Sequence, residues 1–216
     1  TEGYVFSAYL KQARPEPDFK DSTFFPDHRS CAGDWADCLR NIEAKLLKQH
    51  PAKAAREKDD LVFTHVSKAK TILTDTKAEN EEYASYRLVQ YIAEIRSFVV
   101  HVQYFEGSSF FLIHEGTGKK TEVYGPPVLS PGKDLFFTYN CDIAAGFSKN
   151  GIQVFRINKD ASITGLAEIQ KSWGPINVRW SGSNGIEFTR LDLIEGGYIS
   201  SLGEIEIAGN KYILIE

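Results

Sequence analysis

Five histidines, three cysteines and a few paired acids are the residues of this chain that could do chemistry. His28, His50, His65, His101 and His114 fall in no recognised metal-ligand spacing. His101 and His114 lie on two predicted strands that would be neighbours. Histidines facing one another across a ladder can hold a metal, but strand histidines are more often plain surface or half-buried residues, and no metal site is expected. Cys31 and Cys38 are near enough for a local disulfide, and no second Cys or His pair follows at zinc-ligand distance. A Cys31–Cys38 bridge is therefore expected, with Cys141 left over and buried at a strand end. The competing arrangement is three buried, reduced thiols.

No G-x-S-x-G nucleophile elbow occurs. Gly116-Thr117-Gly118-Lys119-Lys120 lacks Walker spacing and sits between two strands, so it reads as a hairpin turn. Asp59-Asp60 and Glu81-Glu82 lie in polar connections and read as solvated charge. No catalytic set and no cofactor site is expected.

Two loops differ from the rest. Tyr139 to Gly151 is long for a hairpin connection and mixes aromatics with Asp and Asn. Gln170 to Asn177 carries Trp173 ahead of Gly174-Pro175. Long loops on a rigid β scaffold are where binding function concentrates. Tyr139, Phe147 and Trp173 are the expected anchors, with Asp142 setting polarity, since interfaces draw their energy from a few aromatic anchors. The competing reading makes both loops ordinary turns and Trp173 a packing residue. Asp142 and Asn150 lack the alternating acid pattern of a calcium loop.

Several elements must position these loops. Residues 1–30 contain Pro15, Pro17 and Pro26 and are punctuated by aromatics, which predicts an extended arm packed on the main body. Trp35, Cys38, Leu39, Ile42 and Leu46 form one apolar stripe, predicting a helix over 34–49 that ends before Pro51. Residues 52–60 read as either a second helix or a solvated linker. Beyond them the period changes to two. Leu61–Val66, Lys70–Thr74 and then nearly everything from Tyr83 read as short strands between turn residues. Phe98, Val100, Val102 and Tyr104 alternate with more polar neighbours, as in a half-buried strand. Two parts follow: an arm plus helix over 1–60 and an all-β part over 61–216.

A short pattern occurs twice in that part. Leu129 to Thr138 aligns without a gap on Trp180 to Thr189, each copy running from a bulky residue and a serine through a polar turn to a strand ending in Phe-Thr. Phe110-Phe111-Leu112-Ile113, the Gly116–Lys120 turn, Pro127-Val128-Leu129-Ser130-Pro131-Gly132-Lys133 and Leu135-Phe136-Phe137 resemble a blade of the TolB-like β-propeller repeats, over about residues 109–191. The family's turn has an Asp between the residues that match Pro131 and Gly132, and this chain lacks it. The second copy keeps the serine but not the Pro or the Lys. The resemblance implies sheets built as sequential strands. Closed propellers need typically four or more blades, and about three units fit here. The expected fold is mainly β: an incomplete propeller-like or sandwich-like antiparallel assembly of about ten to twelve strands with one N-terminal amphipathic helix.

Composition narrows the function classes. A net charge of −4 and pI near 5.8 argue against a nucleic-acid partner. No apolar run approaches the length of a membrane span. The chain contains no Met and begins at Thr1, which with the expected bridge fits a secreted or periplasmic protein after signal-peptide removal; a trimmed fragment would look the same. The leading expectation is an exported binding module, without catalysis, for a protein or an envelope polymer, with inhibitor or immunity proteins in this class. An extracytoplasmic hydrolase is the alternative, and an accessory structural domain is a third. The ligand and oligomeric state are not legible.

Overall fold

A computed structural model of the chain describes residues 35–215. The expected arm over 1–30 and Cys31 lie outside the described residues. Helix α1 spans Trp35–Gln49, with Asp37 in its first turn and Lys48 in its last, the signs the helix dipole favours. Its stripe is buried at Leu39 and Ile42. Three strands follow as one antiparallel sheet: β1 (Ala54–Glu57), β2 (Asp60–Thr64) and β3 (Lys70–Thr74). Residues 52–60 therefore form neither a helix nor a linker. Ala and Lys are poor strand formers, but β propensity yields to pairing and burial. Here Ala54 lies opposite Phe63 and Arg56 opposite Leu61.

The rest of the described chain makes three four-stranded antiparallel sheets, each a meander in chain order. The second sheet holds β4 (Ala84–Ile92), β5 (Ser97–Tyr104), β6 (Ser108–His114) and β7 (Lys120–Val123). The third holds β8 (Val128–Leu129), β9 (Leu135–Asn140), β10 (Gly151–Ile157) and β11 (Ile163–Ile169). The fourth holds β12 (Gly174–Ser181), β13 (Gly185–Ile194), β14 (Gly197–Ala208) and β15 (Lys211–Ile215). Among the described residues the fold is mainly β, with four antiparallel sheets, one α-helix on the N-terminal side and no closed barrel. The fifteen strands among the described residues exceed the expected ten to twelve because β1, β4 and β8 do not stand out in the sequence.

The sheets are layered. Phe63 of β2 and Phe98 of β5 pack with ring centroids 5.2 Å apart, inside a first core that also takes Leu61, Leu88, Val100 and Ile113. A second core unites Val99, Leu112, Phe136, Phe137, Val154, Ile186 and Phe188. Neighbouring residues of β5 and β6 thus serve different cores, and the second sheet is buried on both faces. β5 is accordingly not the half-buried strand its alternation implies, because Val99 and His101 on its other face are buried too.

The sequence repeat is real as strand–turn–strand but slips by one residue. Leu129 lies opposite Phe136, enclosing residues 130–135, whereas Trp180 lies opposite Ile186, enclosing 181–185. The second turn is one residue shorter. A one-residue slip moves every later side chain to the other face, so Phe137 and Phe188 are not equivalent. Phe137 points from the third sheet toward Trp180 of the fourth, centroids 5.2 Å apart. Phe188 lies on the Trp180 face of its own sheet, pointing back.

Candidate binding surface

Strand alternation carries several connections to one end of the assembly: the Tyr104–Gly107 turn, the 141–150 loop, the 170–173 connection and the 195–196 turn. The two loops singled out in the sequence meet there. The Asn150 side-chain amide donates to the carbonyls of Lys171, at 3.1 Å, and Trp173, at 2.8 Å. Its Oδ1 accepts the Asp142 N–H at 3.1 Å. Gly174 abuts Cys141 so closely that a Cβ would overlap the sulfur. On the other flank, Ser148 Oγ accepts the Ser108 N–H at 2.9 Å, and Lys149 pairs with Glu122 at 2.9 Å. A Cβ on Gly107, which has φ +77°, would come within 2.6 Å of the Phe147 carbonyl oxygen. The loop is therefore stitched on both sides, to the preceding sheet and to the following connection.

The four nominated residues divide. Trp173 is only 2% exposed and stacks on Phe188 at 5.1 Å, with the Arg190 guanidinium 5.8 Å from its ring. Tyr139 is buried, 6.0 Å from the Phe137 ring. Both are core residues beneath the loops rather than exposed anchors. An aromatic side chain beside a close-packed glycine connection fills the space under it, which the sequence could not show. Asp142 is half-buried and spends its carboxylate within the loop, on the N–H groups of Gly146 at 3.1 Å and Ser148 at 2.6 Å. Phe147 is 57% exposed. Sequence reasoning missed Phe105, which is 56% exposed. Its context, Gln103-Tyr104-Phe105-Glu106-Gly107, reads as the tail of a strand, and only Glu106-Gly107 signals the turn. Phe105 and Phe147 flank the seam where that turn meets the loop.

The two strand histidines lie away from this surface, and the nucleophile candidate Cys141 opens the 141–150 loop itself. His101 is opposite Phe110 and His114 opposite Ser97, so the two histidines sit apart on the ladder and do not face each other. Burial, helped by Arg87, pushes His101 down to about 4. His114 Nδ1 accepts the N–H groups of Gly116 and Thr117. Burial raises the Cys141 thiol to about 11, and Cys141 is the free cysteine among the described residues. A protonated thiol is a poor nucleophile. The Cys31–Cys38 pairing lies outside the described residues through Cys31; Cys38 itself is half-buried on α1.

Glu43, Asp75 and Glu115, buried or half-buried beside the first and second sheets, are held by bases. Glu43 takes Arg56 at 2.8 and 2.9 Å and the Leu88 N–H at 2.9 Å. Asp75 takes Arg87 at 2.7 Å. Burial pushes the Glu115 carboxyl up, but hydrogen bonds from Lys53, Arg96 and Tyr91 outweigh it and hold the group at about 2. Among the described residues no three His, Cys, Asp or Glu side chains are grouped as metal ligands. No described helix is long and apolar enough to cross a membrane. Comparison with family models, with curated proteins and with solved structures found no match to this chain.

Proposed function

We propose that this chain is an exported binding module that recognises a protein or an envelope polymer, without catalysis, through the end of the assembly bearing Phe105 and Phe147. The observation that carries this reading is a pair of exposed aromatics on loops already fixed by side-chain hydrogen bonds. A preorganised loop loses little further freedom on binding, and exposed aromatics are the usual anchors of interfaces. The charged side chains of Glu122 and Lys149 supply a polar rim.

The state of the titratable groups supports the absence of catalysis. A general acid needs a raised carboxyl pKa, yet Glu94, Glu115 and Glu122 are all shifted down by basic and hydroxyl partners. The sequential meander sheets are in keeping with a TolB-like blade arrangement, which remains part of this proposal. Export rests on a Cys31–Cys38 bridge, which intact-mass measurement without reductant tests through a deficit of two hydrogens.

The test of the surface is capture from secreted and envelope fractions with the wild type and with a Phe105→Ser/Phe147→Ser double variant. A species held by the wild type should be released by the variant while the melting temperature stays unchanged, since both side chains are exposed. Equal capture by both proteins would remove this end of the molecule from the proposal.

A further inference from the structure

A pocket of about 270 Å3 lies over β10 and the edge strand β11 of the third sheet. Strand pairing dictates its walls. Gln153 lies directly opposite Glu168, and Phe155 opposite Gly165, with Leu166 bulged out between the two pairs. Gln153 and Phe155 are two apart on β10 and so point to the same face. That face turns toward the second sheet, because Gln153 Oε1 accepts the Tyr124 N–H at 3.1 Å.

Gln153 is the telling residue. It is only 7% exposed, and its oxygen is used twice, by the Tyr124 N–H and by the Thr138 hydroxyl at 3.0 Å. Those two donors fix the orientation of the amide and leave its NH2 group on the pocket side. Among the described residues no acceptor meets that nitrogen. Buried donors need a partner, and here an occupant of the pocket supplies it.

Glu168 stands beside the amide. Its Oε1 accepts the Tyr124 hydroxyl at 2.7 Å and the Gln170 amide at 3.2 Å, which leaves Oε2 to accept. Residues paired across strands have Cβ atoms about 5 Å apart, so donor and acceptor are side by side. Phe155 supplies a flat wall. Phe136 covers one face of its ring, with centroids 4.7 Å apart. Gly165, on the other neighbouring strand, has no side chain to cover the opposite face. A Cβ there would lie 4.0 Å from the ring.

We infer that this pocket binds one neutral hexopyranose ring, as the free sugar or as the end of a glycan. An adjacent donor and acceptor are the complement of two neighbouring hydroxyls, each of which accepts and donates. The Gln153 amide donates to one hydroxyl, and the next hydroxyl donates to Glu168 Oε2. The C–H face of the sugar lies on Phe155, whose ring face is negative. The volume is below that of drug-sized sites and fits a single ring. Glu168 repels an acidic sugar, and a ring without hydroxyls leaves the Gln153 donors unpaired. The pocket is separate from Phe105 and Phe147 and does not rest on what that end binds.

Nuclear magnetic resonance of isotope-labelled protein, titrated with methyl gluco-, galacto- and mannopyranoside, tests this. At least one of the three should shift the Gln153 side-chain amide and the Gly165 backbone amide saturably. Methyl glucuronide and cyclohexanol should not. Glu168→Ala should weaken binding by about tenfold, as loss of a hydrogen bond to a charged group does. Gly165→Val should abolish binding by filling the space over Phe155, with the melting temperature kept, since β-branched residues suit strands. Glu168→Ala, at an exposed position, serves alone if the valine variant misfolds. A trisaccharide of the bound sugar that binds as well as the methyl glycoside assigns the pocket to chain ends, and one that does not assigns it to the free sugar. The Phe105→Ser/Phe147→Ser variant should bind sugar as the wild type does, so the two readings fail separately. No saturable shift with any of the three glycosides would overturn the inference. So would equal binding of cyclohexanol or N-acetylglycinamide, or binding indifferent to both pocket substitutions.

Discussion

The row Val128–Phe137–Val154–Ala167 across the third sheet lies next to the Leu129–Phe136 pair, and the row Arg179–Glu187–Glu204–Ile215 across the fourth lies next to the matching Trp180–Ile186 pair. The third-sheet row packs toward the fourth sheet, and Phe137 and Val154 have no solvent exposure. The fourth-sheet row faces outward. Its Arg179 and Glu187 pair at 2.8 Å with side chains 76% and 42% exposed. Corresponding rows thus carry core chemistry in one sheet and surface chemistry in the next. Among the described residues, the difference marks the last layer of the stack. A repeated layer that has no successor must show water a polar face, as terminal repeats of stacked arrays do. Glu187 directly opposite Glu204 is unfavourable in itself, and Arg179 offsets part of that cost.

The sharpest way to break the comparison is at its aromatic member. Phe137→Ala should destabilise the protein by about 3–5 kcal/mol, the usual loss for a fully buried phenylalanine. Urea unfolding would measure it. A loss below about 1 kcal/mol would mean that the third and fourth sheets are not packed through this row.

A smaller effect tests the other end of the stack, where the second sheet is covered by α1 and the first sheet. Glu115 joins Lys53, beside β1, to Arg96 and Tyr91 of the second sheet, at 2.6, 2.8 and 2.8 Å. Glu115→Gln should cost about 1.5–3 kcal/mol, the range for hydrogen bonds to a charged group. The sign with pH follows from linkage. The folded carboxyl sits at about 2 against an ordinary 4.5, so its contribution is complete above about 4.5 and disappears as pH falls toward 2. Acid titration of stability should therefore be flatter over that window in Glu115→Gln. An unchanged slope would show that the cluster does not bind the two sheets together.

Much of the fold is legible in the residues, and the failures have common causes. α1 and the apolar strands declare themselves because their burial is periodic and local. β1 does not, since Ala-Ala-Arg-Glu favours helix and only Phe63 and Leu61 opposite it make a strand. The two-residue β8 is too short to have a period. The slip between the repeats is invisible because it arises from turn length, while the letters still align. For the candidate surface, loop content was readable but depth was not. Trp173 and Phe147 are both loop aromatics, and what separates them is Phe188 and Gly203 from distant strands. A Cβ on Gly203 would strike the Phe188 ring, so that glycine makes the room in which Phe188 and Trp173 stack.

The smallest predicted effect bears most directly on what covers the fourth sheet. Glu187→Gln removes the acidic partner of Arg179. An exposed ion pair contributes little to stability, and relief of the opposition to Glu204 works against even that loss. The net change should thus be too small to resolve by urea unfolding, and added salt should shrink it further. A cost of several kcal/mol would be the signature of a desolvated charge pair. That result would place another layer over Arg179 and Glu187, and the outward row would be an interface rather than a cap.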